Sequence, residues 1–313
     1  MNGTIAPVGA YHGGSLAVQD RVGVRELADH VGRSIGTGIK DVAAAFLAHQ
    51  PFLVVGAAAG DGRVWASVLD GEPGFVRATG PGRIEVTARM PEGDPLAGAL
   101  TAEGLPVGTI ALDPRTRRRM RLNGTLAAPA PGGFAVRAEQ VFANCPKYLQ
   151  KRHPLDAVRQ EGEKGRGGVV RYGGALDAGQ VRAVRAADTF FIATVAADGA
   201  DASHRGGNPG FVEVLSPTEL AWPDYAGNAM FLTLGNLAAD GRAGLLFPDW
   251  ETGSVLQLTG RARTEFGPGA ERTVRFLVDA VAESRPPGRL RWSAPEYSPA
   301  NPPVGAHRGS TTR

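Results

Sequence analysis

The chain has 313 residues, of which 42% are hydrophobic and 21% are charged, a composition that is typical of a folded globular protein and excludes an intrinsically disordered one. Its net charge of +3 at pH 7 is too small to predict a nucleic-acid-binding protein. The 44 glycines and 23 prolines favour many short strands joined by turns over long helices.

The first residues, MNGTIAPVGAYHGG, lack a basic region followed by an apolar run, so we expect no signal peptide. The longest apolar run, PFLVVGAAA from Pro51 to Ala59, has about half of the roughly 18 residues that a membrane span needs. The single cysteine, Cys145, rules out an internal disulfide framework and fits a reducing compartment. The sequence therefore predicts a cytoplasmic protein that binds neither membranes nor nucleic acid.

The first element predicted along the chain is helical, from the spacing of its apolar residues. The segment 20–50 has this spacing with interruptions at Gly36 and Gly38, and we predict a helical lead-in over residues 1–50. An apolar, β-rich run from Phe52 to Ala57 follows and ends at Asp61-Gly62, a pair that favours a hairpin turn. A second strand, VWASVL, then leads to the turn in DGEPGFV.

The chain contains an internal repeat with an offset of 136 residues. The tetrapeptide Pro-Gly-Phe-Val occurs at 73–76 and again at 209–212. The segment 107–127 aligns with 243–263 at the same offset, and a two-residue gap extends the match upstream to 51–76 and 188–212. Because a chance similarity would not extend into neighbouring segments, we interpret the chain as two diverged copies of one unit.

Each copy has the pattern of a β-meander with one helix. In the second copy, runs such as ELAWPDY and AGLLFPD predict strands, and GNAMFLTLGNLAADG has apolar residues at helical spacing. About six antiparallel strands and one short helix per copy predict a mainly β protein made of two small barrels. We place the copies at 51–150 and 175–313, with a connector at 151–174.

The second copy resembles a known family. The motifs DASHRGGNPGFV, WPDYAGN, FLTLGNLAADGRAGLLFPDWETGSVLQLTGRA and LRWSAPEYSPANPP are similar to those of pyridoxamine 5′-phosphate oxidase-like proteins, the FMN-binding split barrels. The resemblance is strong from about Asp188 to Pro303. The first copy, with NCPKYLQKR at 144–152, is similar to the first half of longer bacterial members.

The resemblance implies a fold and a cofactor. Members bind FMN at a dimer interface to which both barrels contribute, so a tandem chain is expected to build that pair internally, as a pseudo-dimer of two split β-barrels. The resemblance also implies a small-molecule substrate, with an electron donor such as NAD(P)H. Whether two such chains associate further, as a homodimer, stays open.

The candidate phosphate site is the stretch Ser203-His204-Arg205 beside a Gly-Gly turn. A phosphate needs cationic or N–H donors, and these three side chains supply them. Side chains alternate along a strand, so we expect Ser203 and Arg205 to share the ligand's face and His204 to point away from it. The first copy has Val68 and Leu69 in place of His204 and Arg205, so we expect only the second copy to keep the site.

Three further residues are candidate cofactor contacts. Tyr225 and Asn228 precede the predicted helix, whose N-terminal amides favour an anion; the alternative is a capping loop, because asparagine is a favoured N-cap. A basic residue common in the family is absent here, where Ala229 follows Asn228. Gln257 resembles a position that touches the flavin ring; the alternative is an exposed strand residue. Lys147 and the pair Lys151-Arg152 are interpreted as a solvated charge run; the alternative is that they reach the flavin site across the pseudo-dimer.

The leading hypothesis is a flavoprotein that transfers electrons to or from a small molecule, with no catalytic acid or base assigned. Two alternatives stay open: deazaflavin or haem in the same cleft, and a non-catalytic flavin-binding or interaction module. The chain has no Cys-x-x-Cys pair and no His-Glu-x-x-His, so we predict no zinc site.

Overall fold

The computed structural model describes residues 10–128, 130–155, 170–197, 199–284 and 291–305. The helices are α1 (Gly13–Val22), α2 (Arg25–Gly32), α3 (Asp41–Ala48), α4 (Ala178–Ala186) and α5 (Leu232–Ala239), with a 3-10 turn at Ala99–Thr101. None of the helices in the described ranges is long and apolar enough to cross a membrane.

The strands of the first copy are β1 (Phe52–Ala58), β2 (Val64–Asp70), β3 (Val76–Gly80), β4 (Arg83–Val86), β5 (Pro106–Asp113), β6 (Arg118–Leu126) and β7 (Phe134–Ala143). Those that follow are β8 (Arg171–Gly173), β9 (Thr189–Ala196), β10 (Gly199–Gly206), β11 (Glu213–Ser216), β12 (Glu219–Pro223), β13 (Arg242–Pro248), β14 (Val255–Phe266) and β15 (Arg272–Ser284).

The two copies form antiparallel sheets with the same topology. The first sheet has the order β2-β1-β5-β6-β7-β4-β3, and the second has the order β10-β9-β13-β14-β15-β12-β11, with β8 added beside β15. Both sheets carry a bulge at the same place, between Asn123 and Gly124 in β6 and between Thr259 and Gly260 in β14. The prediction of two tandem split barrels is therefore confirmed.

Strand register corrects the predicted alignment by one residue. Val55 of β1 pairs with Ser67 of β2, and Ile192 of β9 pairs with Ser203 of β10. The two serines are 136 positions apart, whereas Val55 and Ile192 are 137 positions apart. The gap between the copies is thus one residue, because pairing with the neighbouring strand sets the register that sequence similarity alone left ambiguous.

The two sheets pack face to face and form the internal pseudo-dimer. Their seam is a hydrophobic cluster with members from β1, β2 and β5 of one unit and from β9, β10 and β13 of the other. A Cβ on Gly108 would lie 2.4 Å from the backbone N of Ala202, and a Cβ on Gly244 would lie 2.6 Å from the Cα of Trp65. Glycine at these two equivalent positions allows the backbones of the two units to approach closely.

Helix α1 of the lead-in packs on α5 of the C-terminal unit. The His12 Nε2 and Asn236 Oδ1 atoms are 2.7 Å apart, and Asn236 Nδ2 donates to Thr194 Oγ1. Gln19, which is fully buried, donates from Nε2 to the carbonyl of Met230 at 2.9 Å. The lead-in therefore braces the segment just before α5.

Part of the predicted connector is packed. Arg152 is buried and forms an ion pair with Asp188 at 2.7 Å, and Lys151 pairs with Glu296 in an isolated bridge. The interpretation of Lys151-Arg152 as a solvated charge run is wrong for Arg152, because the Asp188 carboxylate offsets the cost of burying it. Residues 156–169 of the connector lie outside the described residues.

Candidate functional site

A cleft opens where the two units meet. It lies between β6 of the N-terminal unit, the end of β10, the segment Asn144–Tyr148 and the segment Pro223–Leu234. Including its open mouth, it encloses about 1000 Å³. Of the predicted site residues, the structure brings five together in this cleft: Ser203, His204, Arg205, Tyr225 and Asn228.

Arg205 and Ser203 share one face of β10, as expected. The Arg205 Nη1 atom donates to Ser203 Oγ at 2.7 Å, and Arg205 Nη2 lies 3.9 Å from the Asp224 carboxylate. Asp224 is itself bound more closely by Arg272, at 2.9 Å. Burial lowers the pKa of Arg205, which the nearby Asp224 opposes. The Asp224 carboxylate thus compensates the positive charge of Arg205 only in part.

His204 also lines the cleft, although its side chain lies on the opposite face of β10 from Ser203 and Arg205, as the strand alternation predicts. Its ring faces the seam, 5.7 Å from the ring of Phe191, and its Nδ1 lies 2.7 Å from Arg119 Nη1. Because β10 is the edge strand of its sheet, a pocket at its end reaches side chains on both faces. Burial lowers the pKa of His204 well below its ordinary value, and Arg119 and Arg205 add to the shift.

The N-terminal unit supplies two arginines that we did not predict. Arg119 Nη2 donates to the carbonyl of Cys145 at 2.9 Å, and burial together with Arg205 and Arg121 lowers its pKa to about 9. Arg121, which is 5% exposed, forms an ion pair with Asp201 across the seam. The Nε atoms of both arginines and Nε2 of His204 are buried without a hydrogen-bond partner among the described residues.

A signal for these arginines was present in the repeat. At the offset of 136, Arg119 and Arg121 align with Val255 and Gln257, so the first copy carries two cations that the second lacks. The prediction placed the cations of the site in the second copy and considered only Lys147 and Lys151-Arg152 as an alternative from outside it, of which Lys147 lines the cleft. It missed the arginines because the cleft is completed by a strand from the other unit.

Tyr225 and Asn228 lie on the loop before α5. Tyr225 is 5.1 Å from Tyr148 between ring centroids, and burial raises the pKa of both phenols. Asn228 Oδ1 accepts from the Met230 amide at 3.2 Å. The capping alternative for Asn228 is wrong, because α5 begins four residues later and its N-cap is Phe231.

The loop before α5 has an unusual backbone. Ala229 and Phe231 have φ values of 61° and 53°, in the left-handed region that L-residues rarely adopt. The carbonyl of Met230 between them accepts the hydrogen bond from Gln19 of α1. Packing on the lead-in thus holds a strained wall of the cleft in place.

Gln257 lies outside the cleft, on the opposite side of the pseudo-dimer. It is 1% exposed, and its Nε2 donates to Ser67 Oγ at 2.8 Å and lies 3.3 Å from Asp94 Oδ2. Asp94 Oδ1 also accepts from Ser67 Oγ and from the Leu96 amide. We call this region the twin site, because its residues occupy positions equivalent to those of the cleft. It comprises Ser67, Val68 and Leu69 of β2, Asp94, and Val255 and Gln257 of β14. Gln257 therefore does not line the cleft in which we predicted it to touch the flavin ring. The alternative, an exposed strand residue, is wrong, since β14 is covered by β2 of the other unit.

Comparison with known proteins finds one family model that is similar to the C-terminal unit. Residues 177–289 match the family model of pyridoxamine 5′-phosphate oxidase. No curated protein is similar enough to the chain to count as a match.

Solved structures show distant similarity. A putative pyridoxamine 5′-phosphate oxidase from Lactobacillus delbrueckii is 16% identical over 35% of this chain and 94% of its own, with a TM-score of 0.29. A FAD-binding protein from Mesorhizobium loti is 12% identical over 37% and 98%, with a TM-score of 0.27. The FAD-binding protein from Mycobacterium smegmatis is 15% identical over 37% and 98%, with a TM-score of 0.26.

The family match and the strand topology agree with the resemblance seen in the sequence motifs. The match covers α4 and strands β9 to β15, and the first sheet repeats the order of these strands. Residues 177–289 are therefore similar to the pyridoxamine 5′-phosphate oxidase family, and the N-terminal unit repeats the strand order of the C-terminal unit within the same chain.

Proposed function

We propose that the chain is a flavoprotein that binds FMN in the cleft between its two units and exchanges electrons with a small molecule. The observation that carries this proposal is the Asp94 carboxylate of the twin site. This carboxylate occupies the position equivalent to the one we assign to the FMN phosphate in the cleft. The Asp94 carboxylate is held by Ser67 Oγ at 2.7 Å and by the Leu96 amide at 2.8 Å.

The repeat relates this internal anion to the cleft. At the offset of 136, Ser67 corresponds to Ser203 and Leu96 to Leu232, the first residue of α5. Asp94 corresponds to Met230, so the cleft keeps the donors and has no equivalent carboxylate at that position. Amides at a helix N-terminus have no intrahelical partner and favour an anion. We therefore assign the FMN phosphate to Ser203, Arg205 and the start of α5.

The charges in the cleft support a dianionic ligand. Arg119, Arg121, Arg205 and Lys147 line it, against the carboxylates of Asp201 and Asp224 among the described residues. Asp224 is shared with Arg272. A phosphate reduces this excess of buried positive charge, and charged hydrogen bonds to it contribute about 1.5–3 kcal/mol each.

The aromatic residues of the cleft support a planar ring. Tyr148 and Tyr225 lie side by side at the mouth, and Tyr148 Oη donates to the carbonyl of Ala226. Flat aromatic faces favour stacking with a ring system. A bound flavin supplies the hydride or electron transfer, while the side chains of the cleft bind it, orient it and exclude water.

The test is the absorption spectrum of the purified protein and of two variants at equivalent positions. Wild type is expected to show a flavin band and to release FMN on denaturation. Arg205→Leu copies Leu69 of the twin site and is expected to weaken FMN binding by about 1–3 kcal/mol. Leu69→Ala, 1% exposed in the wild type, is expected to lower stability by about 2–5 kcal/mol and to leave FMN affinity unchanged.

Each alternative has a distinct result. Equal FMN affinity in wild type and Arg205→Leu contradicts the phosphate assignment. A Soret band identifies haem, release of a deazaflavin identifies that cofactor, and a colourless protein that ignores added FMN identifies an interaction module. Reduction of the bound flavin by NAD(P)H, followed by reoxidation by a small acceptor, separates an enzyme from a flavin carrier.

A further inference from the structure

We infer that Arg119 and His204 form a second anion site in the cleft, separate from the phosphate site, and that it binds the carboxylate of a small anionic substrate. The inference deepens the proposed function, because it names a substrate class for the same cleft. It rests on the hydrogen bonds of two side chains that are not among the groups assigned to bind the phosphate, which are Ser203, Arg205 and the start of α5.

The hydrogen bonds leave two donors available at this pair. An arginine donates only, so Arg119 Nη1 donates to His204 Nδ1, and the neutral imidazole then carries its proton on Nε2. Both His204 Nε2 and Arg119 Nε are buried without an acceptor among the described residues. A buried N–H group without an acceptor costs about 1–3 kcal/mol, which an oxyanion in the cleft would remove.

The charge of Arg119 is uncompensated. Its two bonded partners, the imidazole of His204 and the carbonyl of Cys145, are neutral, and no carboxylate within the described ranges pairs with it. Arg121 and Arg205 raise the cost further by repulsion, which contributes to the lowered pKa of Arg119. A cation held in this way favours a negatively charged ligand.

The twin site shows that packing does not require these charges. Val255 and Val68 occupy the positions equivalent to Arg119 and His204, and both pack in the hydrophobic cluster of the seam. A valine pair therefore holds the same interface on the other side of the molecule. A structural role alone does not explain why the cleft carries a buried arginine and histidine there.

The pair is separate from the phosphate site because of strand geometry. Ser203 and Arg205 point to the α5 side of β10, where Asp201 also contacts Thr233 of that helix. His204 points to the seam and meets β6 of the other unit. The two anion sites thus lie on opposite faces of one strand and open into the same cleft.

The test measures malonate binding by calorimetry on the flavin-free Arg205→Leu protein, in which the first anion site is removed. We expect one malonate site in this protein and no binding of malonamide, its uncharged analogue. Adding Arg119→Val and His204→Val, which copies the twin site, is expected to weaken malonate binding by about tenfold or more. Thermal unfolding checks that the triple variant is folded.

A second measurement does not depend on the variants. In flavin-free wild-type protein with ¹⁵N-labelled histidine, malonate is expected to shift the Nε2 resonance of His204, and malonamide is not. Absence of a malonate site in Arg205→Leu, unchanged affinity in the triple variant, or an unmoved His204 resonance would each overturn the inference. Because these experiments use malonate without flavin, their failure is distinguishable from a failure of FMN to bind.

Discussion

The cleft and the twin site are built from equivalent strands and differ in charge. The equivalent positions, with the cleft first, are Arg119 and Val255, Arg121 and Gln257, His204 and Val68, Arg205 and Leu69, and Met230 and Asp94. The cleft carries cations from both units and has no carboxylate at residue 230. The twin site lacks these cations and holds the Asp94 carboxylate, which is hydrogen-bonded to Ser67 and Gln257.

This difference shows what a tandem chain permits. In a homodimer every substitution appears at both symmetric sites, so a buried cation that serves a ligand must be accommodated twice. In this chain each substitution changes one site only. The desolvation cost of buried charge is therefore restricted to the cleft, while apolar packing and an internal hydrogen-bond network stabilise the twin site.

The largest expected difference between the two sides is at Arg121 and Gln257. Arg121→Met leaves the buried Asp201 carboxylate without its cation and is expected to destabilise the fold by about 3–5 kcal/mol. Gln257→Met removes neutral donors from Ser67 and Ala66 and is expected to cost about 1–3 kcal/mol. Urea unfolding measures both, and equal losses would contradict the contrast in charge.

The seam glycines are expected to behave alike on both sides. Gly108→Ala places a Cβ against the backbone of β10, and Gly244→Ala places one against the backbone of β2. Backbone atoms cannot yield as a flexible side chain does, so each variant is expected to lose about 1–3 kcal/mol. Thermal unfolding of the two proteins measures this, and a loss confined to one of them would argue against an equivalent packing of the two units.

The loops before the equivalent helical segments are expected to respond in opposite directions. Ala229 has φ 61°, and its equivalent, Gly93, has φ 79°. Ala229→Gly relieves the left-handed conformation and is expected to stabilise the fold by about 1 kcal/mol. Gly93→Ala introduces the same strain, together with a contact 3.0 Å from Val170 Cγ2, and is expected to destabilise it. Chemical unfolding of both variants measures the change in the free energy of unfolding, which is expected to have opposite signs in the two proteins.

The smallest expected effect is on pH dependence. The pKa of His204 is lowered by burial and by Arg119, Arg205 and Arg152, so the unfolded chain binds a proton at a higher pH than the folded one. Stability is therefore expected to fall as pH decreases through the ordinary histidine range. His204→Val, which copies Val68, removes this contribution. Unfolding free energies at several pH values test it, and parallel curves for the two proteins would contradict it.

Much of the fold was predictable because its signals are local. Apolar runs and Asp-Gly pairs indicated the strands and hairpins, and the apolar spacing around Leu234 indicated α5. The exact start of α5 was not predictable: the sequence favours Asn228 as the N-cap, whereas the structure has Phe231 there. Just before that boundary, the Met230 carbonyl accepts a hydrogen bond from Gln19, a residue more than 200 positions away in the sequence.

The sequence by itself determined that the chain is a duplicated β protein and that the Ser203–Arg205 stretch differs in charge from its equivalent. These features follow from residue spacing and from comparing one copy with the other. Only the tertiary structure decided that Arg119 and Arg121 complete the cleft and that Gln257 belongs to the twin site. The physical reason is that the two sheets pack face to face, so each site combines an edge strand of one unit with an inner strand of the other.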